Sequence, residues 1–207
     1  QLIQKFLKNL INFLFNYLTD RVLLMSEENT ENIPTPQHVL ITAEQVAEKV
    51  DELGKQISQD YSKEAPLLVG VLKGAFVFMS DLSRAIDLPI EFDFMAVSSY
   101  GHSTTSSGVV RIVKDLDLDL AGRHVLLVED IVDSGLTLNF LRKNLLARNP
   151  ASLEICALLV REDFQFEEDT IKYAGFQVPA DWLVGYGLDV AERYRNLPDI
   201  WVASSES

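Results

Sequence analysis

The chain has 207 residues, 47% hydrophobic and 24% charged, enough to bury a full core as one domain with a small appended subdomain. Its 31 Asp and Glu outnumber 18 Lys and Arg, and the formal net charge of −13 repels nucleic-acid phosphates and anionic lipid, which leaves a small molecule as the expected partner. Cys156 is the only cysteine and His38, His102 and His124 are widely spaced, so neither a disulfide nor a zinc site is expected.

From Leu2 to Leu24 the apolar residues Ile3, Phe6, Leu7, Leu10, Leu14, Tyr17 and Leu18 follow helical spacing, but Lys5, Lys8, Asn9, Asn12 and Asn16 interrupt them. The interruption argues against a membrane span, and no small-residue cleavage site marks a secretory signal. Two readings stay open. One is an amphipathic surface or membrane-lying helix, weakened by having only two lysines near its polar face. The other, which is preferred, is an extension upstream of a natural start at Met25, followed by the polar, disorder-prone stretch SEENTENIPTP. Residues 1–38 are therefore expected to be an extension and residues 39–207 the folded domain.

Thr42 with Gln45 forms a capping box, and Val46, Val50, Leu53 and Ile57 line one face of the helix that follows. Pro66 stops helical structure, and the short apolar run Leu67 to Leu72 reads as a strand covered on both faces. A helix from Gly74 to about Ile86, a strand from Ile90 to Val97, a mobile polar loop from Ser98 to Ser107 and a return strand from Val109 to Val113 come next. His124 to Val128 is another buried strand, Leu136 to Arg148 a helix and Ser152 to Val160 a strand, in which Cys156 reads as a buried residue of a reducing compartment. The alternation implies an α/β fold with a mostly parallel central sheet flanked by helices.

One segment carries chemistry. In VLLVEDIVDSGLTL, Val125 to Leu138, an apolar strand runs into Glu129 and Asp130, then Asp133, and then Ser134-Gly135-Leu136-Thr137 opening a helix. Ligands of open α/β sheets bind beyond the carboxyl ends of strands, and the Ser-Gly-x-Thr turn offers backbone N–H groups, hydroxyls and a helix N-terminus that suit a phosphate monoester. Carboxylates beside a phosphate make sense if they hold ribose hydroxyls or act through Mg²⁺. The plainer alternative makes Asp133 or Ser134 only the helix N-cap. No P-loop occurs, and Gly185-Tyr186-Gly187 runs on to Val190 where a dinucleotide fingerprint needs Gly or Ala.

The fourteen residues resemble the ribose-phosphate signature of the phosphoribosyltransferases, and the Glu-Asp opening is similar to their hypoxanthine-guanine branch. The resemblance spans roughly Val39 to Val202. It implies the type I phosphoribosyltransferase fold, with a small hood subdomain and a flexible active-site loop. It implies Glu129 and Asp130 at the ribose hydroxyls, Asp133 as the proton acceptor or donor at purine N7, and Ser134, Gly135, Leu136 and Thr137 around the 5′-phosphate. Leu72-Lys73-Gly74-Ala75 resembles the family's pyrophosphate loop, whose Lys-Gly peptide is often cis, with Lys73 and Gly74 contacting pyrophosphate. Asp181 to Asp189 resembles the base-binding segment, with Trp182 stacking on the purine, Leu183 bonding it through its backbone and Asp189 near Mg²⁺, for which Glu129 and Asp130 are the further candidate ligands. Arg195 falls at a pyrophosphate position, and Ser99-Tyr100 at the head of the active-site lid. Arg161 stands where the family usually has a lysine that donates to purine O6, which leaves open the choice among hypoxanthine, guanine and xanthine.

The implied reaction is purine salvage in the cytoplasm: Mg²⁺-dependent transfer of phosphoribosyl from phosphoribosyl pyrophosphate to hypoxanthine or guanine by a homodimer or homotetramer. The alternatives are a transferase for xanthine or a pyrimidine, an RNA-binding regulator built on the same fold, and a membrane-associated form using residues 1–24.

Overall fold

Leu67, Leu68, Val69 and Val71 are buried because they alternate between two cores on opposite faces of one sheet. The structure, a computed structural model, describes residues 33–99, 110–133, 135–163 and 170–204. It holds β1 (Thr35–Ile41), α1 (Ala43–Asp60), β2 (Leu67–Leu72), α2 (Phe76–Ala85), β3 (Glu91–Ser99), β4 (Val110–Lys114), β5 (His124–Val132), α3 (Leu136–Leu146), β6 (Ser152–Arg161), β7 (Tyr173–Val178), β8 (Trp182–Val184) and β9 (Ile200–Ser204). The chain divides into Pro36–Ala203, which carries this fold, and a second unit of Gln1–Thr35 with Ser204–Ser207.

Six strands form the main sheet in the order β4-β3-β2-β5-β6-β7. The pairs β2–β3, β2–β5, β5–β6 and β6–β7 are parallel, and only the edge strand β4 is antiparallel. Leu68, Leu126, Val128 and Leu158 pack with Val46, Val50, Leu53 and Ile57 of α1 and Phe78, Met79 and Leu82 of α2. Leu67, Val69, Val125, Leu127, Ile155 and Ala157 face the other way, against Leu138, Leu141 and Leu145 of α3. Covering both faces is what makes β2 and the first half of β5 continuous apolar runs. A second sheet, β1-β9-β8, supplies the small hood. Among the described residues no helix is long and apolar enough to cross a membrane.

The capping box is present, with Gln45 N donating to Thr42 Oγ1 and Thr42 N to Gln45 Oε1. Cys156 is fully buried in β6, and burial pushes its thiol far up. Two expectations change, and four strands were not expected. β5 continues four residues past Val128 because its pairing with β6 extends to Ile131↔Leu159 and Val132↔Val160. β3 keeps Ser98 and Ser99 by pairing them with Arg111 and Val110, and the rest of the expected loop lies outside the described residues. β1, β7, β8 and β9 lacked a clear signal: β8 has only three residues, and Pro36 weakens the reading of β1, which forms a sheet edge where a missing N–H is tolerated.

Candidate active site

The extension of β5 carries Glu129 and Asp130 inside the strand rather than beyond it. Glu129 is only 6% exposed, and burial, then the charge of Asp130, raise its carboxyl well above the ordinary range. Burial likewise pushes Asp130 up to about 6, against the lowering effect of backbone N–H groups and the Arg195 charge, with Asp189 adding to the rise. Two adjacent carboxylates, one buried and one half-buried, are costly to ionise together without a cation or a donor ligand, and such groups are candidates for function.

Three chain segments close around Asp130. A Cβ on Gly74 would stand 1.7 Å from Asp130 Oδ2, and a Cβ on Gly187, whose φ is +100°, would stand 2.2 Å from the Gly74 carbonyl oxygen. Only glycine permits both approaches. The cis peptide of this loop joins Leu72 and Lys73, one bond before the Lys73–Gly74 bond the resemblance pointed to; residue types alone do not distinguish two neighbouring bonds of one turn.

Two clefts meet here. The first, about 270 Å³, is lined by Gly74, Glu129, Asp130, Asp133, Gly135 and Thr137 among others. The second, about 460 Å³, is lined by Arg161, Trp182, Leu183 and Asp189, and shares Asp130, Ile131 and Asp133 with the first. Gly135, at φ +68°, is the N-cap of α3, with no capping side chain, so the alternative that makes Asp133 the cap does not hold. Asp133 instead accepts from Arg161 Nε at 3.2 Å, and Arg161 Nη1 donates to the Pro179 carbonyl. Trp182, 65% exposed, and the buried Leu183 both line the second cleft.

Beside the clefts, Arg195 pairs with Asp189 at 2.8 Å and donates from Nη1 to the Gly187 carbonyl at 2.8 Å. Arg195 Nη2 and Lys73 Nζ both reach Glu192 Oε2, at 3.2 and 3.1 Å. These two hydrogen bonds, Lys73 first, hold the Glu192 carboxyl below the usual range.

The structure thus brings Glu129, Asp130, Asp133, Gly135, Thr137 and Gly74 to one cleft and Arg161, Trp182, Leu183 and Asp189 to its neighbour. Leu136 opens α3 with its side chain exposed and lines neither cleft. Ser134 and Tyr100 lie outside the described residues, and Ser99 is described only as the backbone end of β3. Glu129, Asp130 and Asp189 do not form a three-ligand cage, and no group of three or more His, Cys, Asp or Glu does so among the described residues. Sequence reasoning missed Glu192 and the Arg161–Asp133 pair. The run Glu192-Arg193-Tyr194-Arg195 held the first in plain view, but nothing in it ties Glu192 to Lys73.

The phosphoribosyl transferase domain family matches residues 40–191. Over 165 residues the chain is 56% identical to the hypoxanthine-guanine phosphoribosyltransferase of Mycobacterium tuberculosis, covering 77% of this chain and 82% of that protein. The Bacillus subtilis enzyme of the same name is 49% identical over 166 residues, covering 80% of this chain and 92% of that protein. A crystal structure of a hypoxanthine-guanine phosphoribosyltransferase from Bacillus anthracis superposes with a TM-score of 0.76 at 45% identity, covering 82% of this chain and 99% of that one.

Proposed function

The chain belongs to the phosphoribosyl transferase family, and from that premise we propose that it is the purine-salvage enzyme that transfers 5-phosphoribosyl from phosphoribosyl pyrophosphate to N9 of hypoxanthine or guanine, giving IMP or GMP and pyrophosphate. The observation that carries this reading is the junction of the two clefts at Asp130, Ile131 and Asp133. A ribose phosphate in the first cleft would present its C1′ to a flat base in the second. The names of the relatives favour hypoxanthine and guanine over xanthine, a pyrimidine or an RNA-binding role.

In this reading the turn Ser134-Gly135-Leu136-Thr137 receives the 5′-phosphate at the start of α3, where backbone N–H groups and the helix dipole favour an anion. Glu129 and Asp130 accept from the ribose hydroxyls, which would satisfy two carboxylates otherwise costly to ionise. Trp182 stacks on the purine, the Leu183 backbone bonds its edge, and Arg161 donates to the 6-oxo group, since a guanidinium carries more N–H groups than its contacts with Asp133 and Pro179 use. Lys73, Gly74 and Arg195 hold the pyrophosphate. N9 bonds to C1′ as the C1′–oxygen bond breaks; pyrophosphate leaves with the electron pair, and Asp133 takes the proton from purine N7. Positive charge builds on the ribose at the transition state, as in other glycosyl transfers. Ser99 and Tyr100 would head a lid that excludes water, a competing nucleophile.

The donor set fits Mg²⁺. This ion takes one or two carboxylates and completes its shell with water and ligand phosphates, so the absence of an all-protein cage around Asp189, Asp130 and Glu129 is no obstacle. When bound, it would neutralise charge on the departing pyrophosphate.

A reducing, cytoplasmic setting agrees with a lone buried cysteine, and a net charge of −13 disfavours a nucleic-acid partner. Assembly as a homodimer or homotetramer follows from the family resemblance. The transferase domain of this reading takes in residues 39–207 together with the start of β1 from Thr35, which leaves residues 1–34 as the extension. Incubation with labelled phosphoribosyl pyrophosphate and a panel of bases tests the proposal. Labelled IMP and GMP are expected; turnover of uracil or orotate alone, or salt-dependent RNA binding without turnover, would overturn it.

A further inference from the structure

A carboxylate that no step of the reaction uses sits between the two cations assigned to pyrophosphate. Glu192 Oε2 accepts from Lys73 Nζ at 3.1 Å and from Arg195 Nη2 at 3.2 Å, so a single oxygen bridges them. The turn that presents it is tightly determined. Val190 and Arg193 exchange backbone hydrogen bonds of 3.3 and 3.0 Å, the Glu192 N–H donates to Asp189 Oδ2 at 2.8 Å, and Ala191, Glu192 and Tyr194 have φ of 50°, 63° and 73°. Non-glycine residues keep that conformation only where surrounding contacts impose it.

We propose that Glu192 is a tethered anion in the pyrophosphate site, holding Lys73 and Arg195 side by side when the site is empty and competing with pyrophosphate for both when it is full. The inference rests on the reading of Lys73 and Arg195 as pyrophosphate ligands. The side chains of Lys73 and Glu192 are 66% and 63% exposed, so water and salt weaken their attraction, and a polyanion can displace the carboxylate. Arg195 does not drift when that happens, because Asp189 and the Gly187 carbonyl still hold it. The waiting carboxylate then re-enters as the product leaves. Glu192 is therefore a positioning residue that acts through the two cations and eases pyrophosphate release.

Glu192→Gln keeps the shape and removes the charge. In the full chain, the inhibition constant of inorganic pyrophosphate and the KM for phosphoribosyl pyrophosphate are both expected to fall by about two- to fivefold, while kcat does not rise. The differences should shrink as salt is added. Glu192→Asp, which restores the charge, should return both constants most of the way to wild type. A mere brace of the turn would behave otherwise: Glu192→Gln would lower the thermal midpoint and leave both constants unchanged or raise them, and that result overturns the inference. Wild-type protein that neither transfers phosphoribosyl nor binds pyrophosphate would sink the underlying reading and this inference with it, whereas an active wild type with an indifferent Gln variant would sink this inference alone.

Discussion

Arg161 Nε donates to Asp133 Oδ1 at 3.2 Å, tying the end of β6 to the residue just past β5. The two partners are unequal. The Arg161 side chain is 12% exposed and is also held by the Pro179 carbonyl, whereas that of Asp133 is 72% exposed. The guanidinium is the fixed member, and it aims a carboxylate that is otherwise free to turn toward a ligand.

If Asp133 takes the purine proton, Asp133→Asn should lower kcat by about 10²- to 10⁴-fold, the usual worth of a positioned general base, with little change in the KM for phosphoribosyl pyrophosphate. Steady-state kinetics on hypoxanthine check this. Unchanged turnover would remove Asp133 from the role.

Arg161 should be felt mainly in base recognition. Arg161→Gln removes a charged donor, and the KM for hypoxanthine is expected to rise by roughly ten- to a hundredfold, the cost of one charge-assisted hydrogen bond. Arg161→Lys should lose less, since it restores a charged donor, yet it cannot span Asp133 and Pro179 with a planar fork. Equal losses in the two variants would show that charge at position 161 does not matter.

Hydrophobic period made the main sheet readable: an apolar run such as Leu67–Leu72 has little else to be when it lies between two helical patterns. The end of β5 was not readable, because Glu129 and Asp130 are poor strand formers and only the pairing with β6 keeps them in the ladder. Residue types in Val125 to Leu138 by themselves point to phosphate and ribose chemistry. Partners were another matter. Asp133 and Arg161 are 28 positions apart and Lys73 and Glu192 are 119, so each pair exists only through the fold.

The glycine at position 74 allows a sharper test of how the site is assembled. Gly74→Ala places a methyl group 1.7 Å from Asp130 Oδ2, so that carboxylate has to leave its present position between the two clefts it lines. We expect kcat/KM for phosphoribosyl pyrophosphate to fall by at least about a hundredfold, with a loss of stability of about 1–3 kcal/mol. Kinetics together with chemical denaturation separate the two effects. Near-normal kinetics would mean that the Gly74–Asp130 contact is not needed for donor binding.

Asp93 gives a pH-dependent prediction away from the clefts. Its Oδ2 accepts from the N–H groups of Asp117 at 2.7 Å and Leu118 at 3.0 Å, its Oδ1 accepts from Phe94 N at 2.7 Å, and Lys114 Nζ lies 3.7 Å away, so one carboxylate pins the connector between β4 and β5 to β3. Burial alone would raise its pKa, but the three backbone donors and the Lys114 charge outweigh burial and carry it below the ordinary 3.8. A depressed folded-state pKa means that the stabilisation is fully present above the unfolded value and is lost as pH falls through the folded one. Asp93→Asn, which keeps the shape and loses the charge, should therefore destabilise the protein by about 1–3 kcal/mol at pH 7. The gap between wild type and variant should close below the ordinary carboxylate range, as wild-type Asp93 itself becomes protonated. Urea unfolding of both proteins at pH 7 and at pH 3 measures the gap directly, and other carboxylates that titrate over this range cancel in the difference. A gap of the same size at both pH values would show that packing, rather than the charge of Asp93, holds the connector in place.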